Sequence, residues 1–396
     1  MVETLEPAVE PRKGVKARKR RAFVMEVAIV AVIALLLLIV IPPLLSALGQ
    51  GVRVNQLGRY LALAIAALGI DLIWGYTGLL SLGHGIFFAL GGYALGMYLQ
   101  LQLPAGQIPD FFSLYGVSEL PAFWQPFYSF PFTLLAIWLI PTLVAAALGY
   151  LVFRNRIRGV YFSILTQAAL IVFFNFFNGQ QKLINGTNGL KTDTSTIFGM
   201  QASDPRIQTI FYVLSVLLLV AGYALCRWLT SGRMGRMLVA IRDDEPRVRF
   251  SGYNPTGFKV FVFAISAALA GIAGALYTVQ SGIITPSSAL STAFSIEMVI
   301  WVAVGGRATL VGAIFGTLLV NFAKTLLSEQ FPEIWLFFQG ALFLAVVTIL
   351  PNGIIGWLRT DGWFWLKSVL GRDRLSTYPS LETDPEVEYE RENSGD

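Results

Sequence analysis

Few side chains in this sequence can do chemistry, and their scarcity limits what that chemistry is. There is one histidine, His84, and one cysteine, Cys226. One histidine excludes a poly-histidine metal centre and a relay built on several imidazoles. One cysteine excludes an internal disulfide and any multi-cysteine metal site. No metal is therefore expected. Asp71, His84, Glu297 and Lys324 interrupt stretches that are otherwise apolar. Ionisable groups at membrane depth are costly and are functional or paired by default. Asp71 and Glu297 are expected to meet a cation or an interface. His84, between two glycines in SLGHGIFF, is expected to be capped or hydrogen-bonded rather than to carry protons. Cys226, at a span end, is most simply a small hydrophobe.

The missing motifs are equally informative. The sequence contains no Gly-Lys dipeptide, so the phosphate-cradling GxxxxGK[ST] loop cannot be written on it. It also lacks HExxH and GxSxG, which removes the commonest hydrolytic signatures. No basic surface interleaved with aromatics suggests nucleic-acid binding.

The elements that position these residues follow from composition. Of 396 residues 55% are hydrophobic and only 13% charged, with a net charge of +5; mean hydropathy is +0.64. So apolar a chain cannot hide its side chains in ordinary soluble cores. The expected fold is all-α: a polytopic membrane protein with about ten transmembrane helices, or eight to ten where boundaries are soft. Stretches near the ~20 residues a span needs are 27–48, 60–74, 81–101, 130–153, 160–177, 207–229, 259–280, 292–304, 310–327 and 334–350. The 292–304 piece is short enough to be re-entrant. Residues 1–26 read as a basic cytoplasmic tail, with seven basic residues between Arg12 and Arg21. Residues 27–350 read as the transmembrane domain and 351–396 as a second cytoplasmic tail. That tail begins with Trp357, Trp363, Phe364 and Trp365, suited to a membrane surface, and turns acidic and polar from Arg372. The first stretch is too long for a signal-peptide core and reads as an uncleaved helix. Arg154, Arg156 and Arg158, and the cluster from Arg233 to Lys259, mark cytoplasmic loops by the positive-inside rule. Arg53 and Arg59 run against that rule. Both termini are expected in the cytoplasm.

Two segments stand out. From Gly75 to Gly96 seven glycines occur in GYTGLLSLGHGIFFALGGYALG. Such density permits close helix packing, with Gly92–Gly96 and Gly312–Gly316 as small-xxx-small pairs. It also suits a discontinuous helix beside a path, where irregular backbone is tolerated at membrane depth. The second segment, 230–258, holds Met237–Ile241 as an apolar helical turn, then Arg242, Asp243, Asp244 and Glu245. Pro246 breaks or restarts the helix, and Gly252 and Asn254-Pro255 close the segment. An amphipathic helix between two spans fits a groove in a soluble partner or lies on the membrane surface.

At these residues the sequence resembles the permease subunits of branched-chain amino acid-type ATP-binding-cassette importers. The likeness is carried by the glycine-rich stretch, FRNRIRGVYFSILTQA, GRMLVAIRDDEPRVRFSGYNPTGFKVFVFAISAALAGIAGALY, and GGRATLVGAIFG at Gly305–Gly316. Within that family it looks most like the urea-transport branch, through SLGHGIFFALGGYA, PDFF, ELPAFW, GVYFSILTQA and NGLKTD at Asn188–Asp193; Lys191 departs from that branch's pattern. The resemblance implies a type II-like importer permease in a bacterial inner membrane. Its partners would be a second related permease subunit, membrane lipid, two cytoplasmic ATPase subunits and an extracytoplasmic binding protein. No cofactor is implied in this chain, with ATP and Mg held on the ATPases. Ala240, Ile241, Arg242, Asp243, Asp244, Glu245 and Gly252 would belong to the helix that meets the ATPase.

The expected function is import of urea by alternating access driven from those partners. A neutral polar solute needs hydrogen-bonding groups, since unpaired polar groups cost ~1–3 kcal/mol each. Tyr76, Thr77, Ser81 and His84 are the candidates for lining such a path. The alternative is the same machine moving branched-chain or other small amino acids, for which charged groups or helix ends on the path would be favoured. A stand-alone channel, a secondary transporter and a membrane-embedded enzyme are the rivals from other classes.

Overall fold

The computed structural model describes residues 27, 29–49, 51–104, 107–197, 199–331, 334–349 and 353–359. The basic tail and the segment containing Trp363, Phe364, Trp365 and Arg372 lie outside the described residues. Ten helices carry the architecture: α1 Val52–Thr77, α2 His84–Gln100, α3 Phe130–Arg154, α4 Val160–Gly179, α5 Pro205–Ser231, α6 Arg233–Phe250, α7 Pro255–Ser281, α8 Thr292–Gly305, α9 Val311–Gln330 and α10 Trp335–Ile349.

Local sequence sets many of their ends. Asp204 and Asn254 cap α5 and α7, each followed by proline. Asp204 accepts from the Arg206 N–H at 2.8 Å and Asn254 from the Thr256 N–H at 3.1 Å. Gly78 and Gly282 stop α1 and α7 in the left-handed conformation, at φ 73° and 76°. Before α1 a helical stretch carries a π-type turn at Leu36–Val40, just ahead of Pro42 and Pro43.

The packing is inverted relative to a soluble protein. Every residue of α1 from Leu61 to Ile73 is buried, as are most residues of α7, and α2 and α3 pack on α7. A helix apolar and buried on all sides is the centre of a bundle. The peripheral helices turn large apolar side chains outward, among them Leu143 and Leu151 on α3, Tyr161 and Val172 on α4, and Trp228 on α5. Lipid is the solvent that accepts such a surface.

Seven described helical segments are long and apolar enough to cross a membrane: Val52–Thr77, Phe130–Arg154, Val160–Gly179, Pro205–Ser231, Pro255–Ser281, Pro286–Gly305 and Val311–Gln330. Helix also occurs in the other three expected stretches, as shorter pieces: Ile29–Leu45, α2 and α10. In α2 the shortening has a local cause, because Gly78–Gly83 is not helical.

The two ends of the bundle differ. One end gathers the end of α1, the turn after α3, α6 and the Gly306–Leu310 turn. They are joined by Arg242 to the Gly75 carbonyl, by Thr256 to the Phe153 carbonyl and by Ala308 to Asp71. The other end gathers residues 101–104, 107–129, 180–197, 199–204 and 282–285. There Leu190–Lys191 pairs antiparallel with Ile283–Ile284, and the Trp124 indole N–H bonds the Leu183 carbonyl at 2.9 Å.

Candidate functional site: the helix break and the segment beneath it

The break between α1 and α2 is built by glycine and roofed by α4. A Cβ on Gly75 would meet the Ala308 nitrogen at 2.5 Å and Asp71 Oδ1 at 2.6 Å, so only glycine lets the Gly306–Leu310 turn sit this close. The irregular backbone from Gly78 to Gly83 needs partners for its polar groups. Ser163 Oγ donates to the Leu80 carbonyl at 2.7 Å, and the Leu82 N–H donates to Thr166 Oγ1 at 3.1 Å. The Gly83 N–H donates to Ser81 Oγ at 3.3 Å.

The four expected path residues face different partners. Tyr76 donates to the Ala308 carbonyl at 3.3 Å, and Thr77 to the Ile73 carbonyl of its own helix at 2.5 Å. Ser81 is buried within the break. His84 is 1% exposed, and its Nε2 lies 2.6 Å from Ser266 Oγ. The Ser266 hydroxyl donates its only hydrogen to the Gly69 carbonyl at 2.5 Å. Nε2 must therefore carry the proton and donate to Ser266, which ties α2 to α7 and α1. The rings of Phe87 and Phe263 pack edge-on against the imidazole. These side chains hold the break in place and do not converge on one open cavity. A cavity of about 430 Å³ does open between α1 and α9, lined by residues such as Leu57, Phe315 and Phe322, away from the break.

The other intramembrane charges are partnered. Lys324 on α9 bonds both carboxylate oxygens of Glu297 on α8 at 2.9 Å. Asp71 Oδ1 accepts the Ala308 N–H at 2.6 Å, and the Arg307 guanidinium next to it lies over the Trp74 ring at 5.0 Å. Cys226 is buried.

Beneath the break lies α6, bent at Asp244, where φ −153° and ψ 86° leave the helical region. Asp244 caps the second half by accepting the Arg247 N–H at 3.0 Å, so Pro246 sits in the first turn of a new helix. The bend divides the expected docking residues. Ala240, Arg242, Asp243, Asp244 and Gly252 are exposed, whereas Ile241 and Glu245 are buried. Glu245 receives Arg249 Nη2 at 2.7 Å and Lys259 Nζ at 3.1 Å, and that ammonium lies 4.9 Å from the Phe153 ring centroid. Burial works to raise the Glu245 carboxyl, but the Arg249 and Lys259 cations outweigh it and hold the group below the ordinary glutamate value. Arg242 reaches upward, its Nη1 donating to the Gly75 carbonyl at 3.0 Å. Gly75 lies in the last turn of α1, where carbonyls are unpaired and the helix end carries partial negative charge. The sequence reading did not single out Phe250 and Tyr253, which project from this segment 92% and 54% exposed.

A buried continuous core, a lipid-ready periphery, an irregular turn that leads from the end of α1 back into the bundle and a charged segment locked beneath it suit a membrane permease. The family model for the permease component of branched-chain amino acid transport systems matches residues 52–347, and the chain belongs to that family. Among its curated relatives are the high-affinity branched-chain amino acid permease proteins LivM of Salmonella typhimurium, 27% identical over 314 residues, and LivM of Escherichia coli, 26% identical over 314 residues. Each of these alignments covers 74% of this chain and 67% of the relative. BraD of Pseudomonas aeruginosa is 23% identical over 312 residues, covering 74% of this chain and 91% of the relative. No solved structure matches the chain.

Proposed function

We propose that this chain is the membrane-spanning subunit of an ATP-driven importer for small amino acids of the branched-chain class. A second related permease pairs with it in a bacterial inner membrane, two ATPases bind ATP and Mg beneath it, and an extracytoplasmic protein delivers substrate. Both termini lie in the cytoplasm, with residues 1–26 and 351–396 as tails of the 27–350 transmembrane domain. The observation that carries this reading is the Arg242–Gly75 contact. It joins the segment an ATPase would grip to the end of α1, where the irregular Gly78–Gly83 turn begins, so a push from below moves that turn. Ala240, Arg242, Asp243, Asp244 and Gly252 offer the surface for the ATPase, while Ile241 and Glu245 anchor that surface to the bundle. Tyr76, Thr77, Ser81 and His84 frame the moving part of the path.

The substrate reading departs from the urea expectation because the relatives above are named for branched-chain amino acids. Urea remains the second reading on the strength of the NGLKTD stretch at Asn188–Asp193. Competition uptake of labelled leucine and labelled urea, in a strain deleted for its own transporters and carrying the whole system, separates them. Leucine uptake without urea uptake is the expected result; the reverse overturns the amino-acid reading. The chain reconstituted alone is expected to move neither solute, and ATP-independent transport by it would favour a channel.

A further inference from the structure

Two shorter helices, α2 of 17 residues and α8 of 14, begin side by side near the middle of the bundle. α2 starts at His84, held to Ser266, which stands about 17 Å along α7 from Pro255 at 1.5 Å per residue. α8 starts at Thr292, and Ser295 in its first turn abuts the first turn of α2. A Cβ on Gly85 would meet Ser295 Oγ at 2.9 Å and the Ala289 carbonyl at 2.6 Å. From this shared level the helices run apart. Gln100, at the end of α2, bonds the Lys191 carbonyl at one end of the bundle. Gly305, at the end of α8, leads into the turn where Ala308 bonds Asp71 at the other end. Irregular backbone leads into both starts, Gly78–Gly83 into α2 and the stretch around Leu290 and Ser291 into α8.

Each helix start carries unpaired N–H groups and the positive end of a macrodipole, and together they favour an anion. Ser291 caps α8 by accepting the Phe294 N–H at 3.2 Å, which leaves the N–H groups of Thr292 and Ala293 ahead of it, whereas Gly83 gives α2 no side-chain cap. An independent observation points the same way. Ser295 is 2% exposed, and its hydroxyl has no partner among the described residues. Gln167 on α4 spends Nε2 on Thr292 Oγ1 at 2.8 Å, while its buried Oε1 has no such partner either. A buried polar atom without a partner is costly, and two occur at one seam. Thr292 and Ala293 are exposed and Gln167 is half-buried, so the seam between α4 and α8 opens to the side of the bundle.

We propose that the mouth of this α4–α8 seam binds the carboxylate and ammonium of the transported amino acid. The positive helix starts and the Ser295 hydroxyl, at the floor, take the carboxylate; Gln167 Oε1 accepts a hydrogen from the ammonium. This deepens, and rests on, the amino-acid import reading. A neutral amide has no full charge for the helix ends to hold.

Two measurements on the complete complex test the site. In a Cys226→Ser background, Thr292→Cys is treated with anionic and cationic methanethiosulfonate reagents. The anionic reagent should react at least threefold faster relative to the cationic one than it does with a free thiol, and leucine should slow it. A ratio at or below the free-thiol value overturns the proposal, as does no reaction with either reagent. Separately, Gln167→Met keeps most of the side chain's volume but removes the oxygen that accepts from the bound ammonium. Leucine uptake should fall at least tenfold in complexes that purify intact and still hydrolyse ATP; wild-type uptake overturns the proposal. If the unmodified complex moves no leucine, the import reading fails, while the thiol ratio still decides whether the seam attracts anions.

Discussion

The Lys259 ammonium sits 3.1 Å from both carboxylate oxygens of Glu245, and at 1% exposure it is all but sealed from solvent. The two charges therefore join the cytoplasmic segment to the base of α7. Removing one partner from such a pair leaves a buried uncompensated charge, a loss of about 3–5 kcal/mol. Glu245→Gln, which strands the buried Lys259 ammonium, should destabilise the purified complex on this scale in thermal unfolding, and Lys259→Met should cost less, because Arg249 still pairs with Glu245. Lys259→Met combined with Glu245→Leu should recover more than half of the loss, because no buried charge is then stranded between them. Glu245→Lys would abolish folding of the segment, so a docking experiment belongs at exposed Asp243 instead.

The same pair sets a pH dependence whose sign is fixed. The folded Glu245 carboxyl lies below the ordinary value of 4.5. Its stabilisation is thus complete above that pH and is lost as pH falls through the folded value. Hydrogen exchange in α6 should be insensitive to the state of Glu245 from pH 6 to 8 and should quicken below about pH 4.5. In Glu245→Gln that acid step should vanish.

What the sequence disclosed and what it withheld divide along chain distance. Asn254-Pro255 marks the start of α7 through an adjacent side chain and a fixed φ, and the glycines around Gly78 mark the break. Both signals are local, and both are legible. Glu245–Lys259 spans two elements, His84–Ser266 joins α2 to α7, and Arg242–Gly75 joins α6 to α1; nothing in any one local stretch announces such partners. Glu297 and Lys324 were visible as charges inside spans, and only packing of α8 on α9 reveals them as a pair. The short 292–304 piece was legible as irregular, yet its meeting with the start of α2 depends on the whole bundle.

Arg242 provides the most direct test of transmission. A hydrogen bond from a charged donor contributes about 1.5–3 kcal/mol when shielded, and this side chain is partly exposed, so the lower end applies. Arg242→Ala should leave ATP hydrolysis by the assembled complex within about twofold of wild type while leucine uptake falls about tenfold, the rate equivalent of ~1.4 kcal/mol. Arg242→Lys keeps the charge without the planar fork and should fall between them. Equal loss of hydrolysis and uptake would mean that Arg242 serves docking rather than transmission.

The α2–α7 contact makes a sharper claim about glycine than the motif does. Gly92 and Gly96 form the recognisable pair, but a Cβ at Gly96 would meet its nearest neighbour at an ordinary 3.4 Å. The tight positions are Gly91, where a Cβ would lie 2.0 Å from the Gly271 carbonyl oxygen, and Gly274, where it would lie 1.9 Å from that of Phe88. Backbone cannot swing aside as a side chain can, so one methyl must part the helices. Overpacking of this kind costs about 1–3 kcal/mol or more. Gly91→Ala and Gly274→Ala should each lower the melting temperature and the yield of assembled complex, whereas Gly96→Ala should change neither appreciably. Gly257→Ala, with open space around the added methyl, controls for helix propensity and should be neutral or slightly stabilising. Since α2 carries one of the two helix starts at the seam, parting α2 from α7 should also weaken leucine uptake in whatever complex survives, measured per assembled transporter.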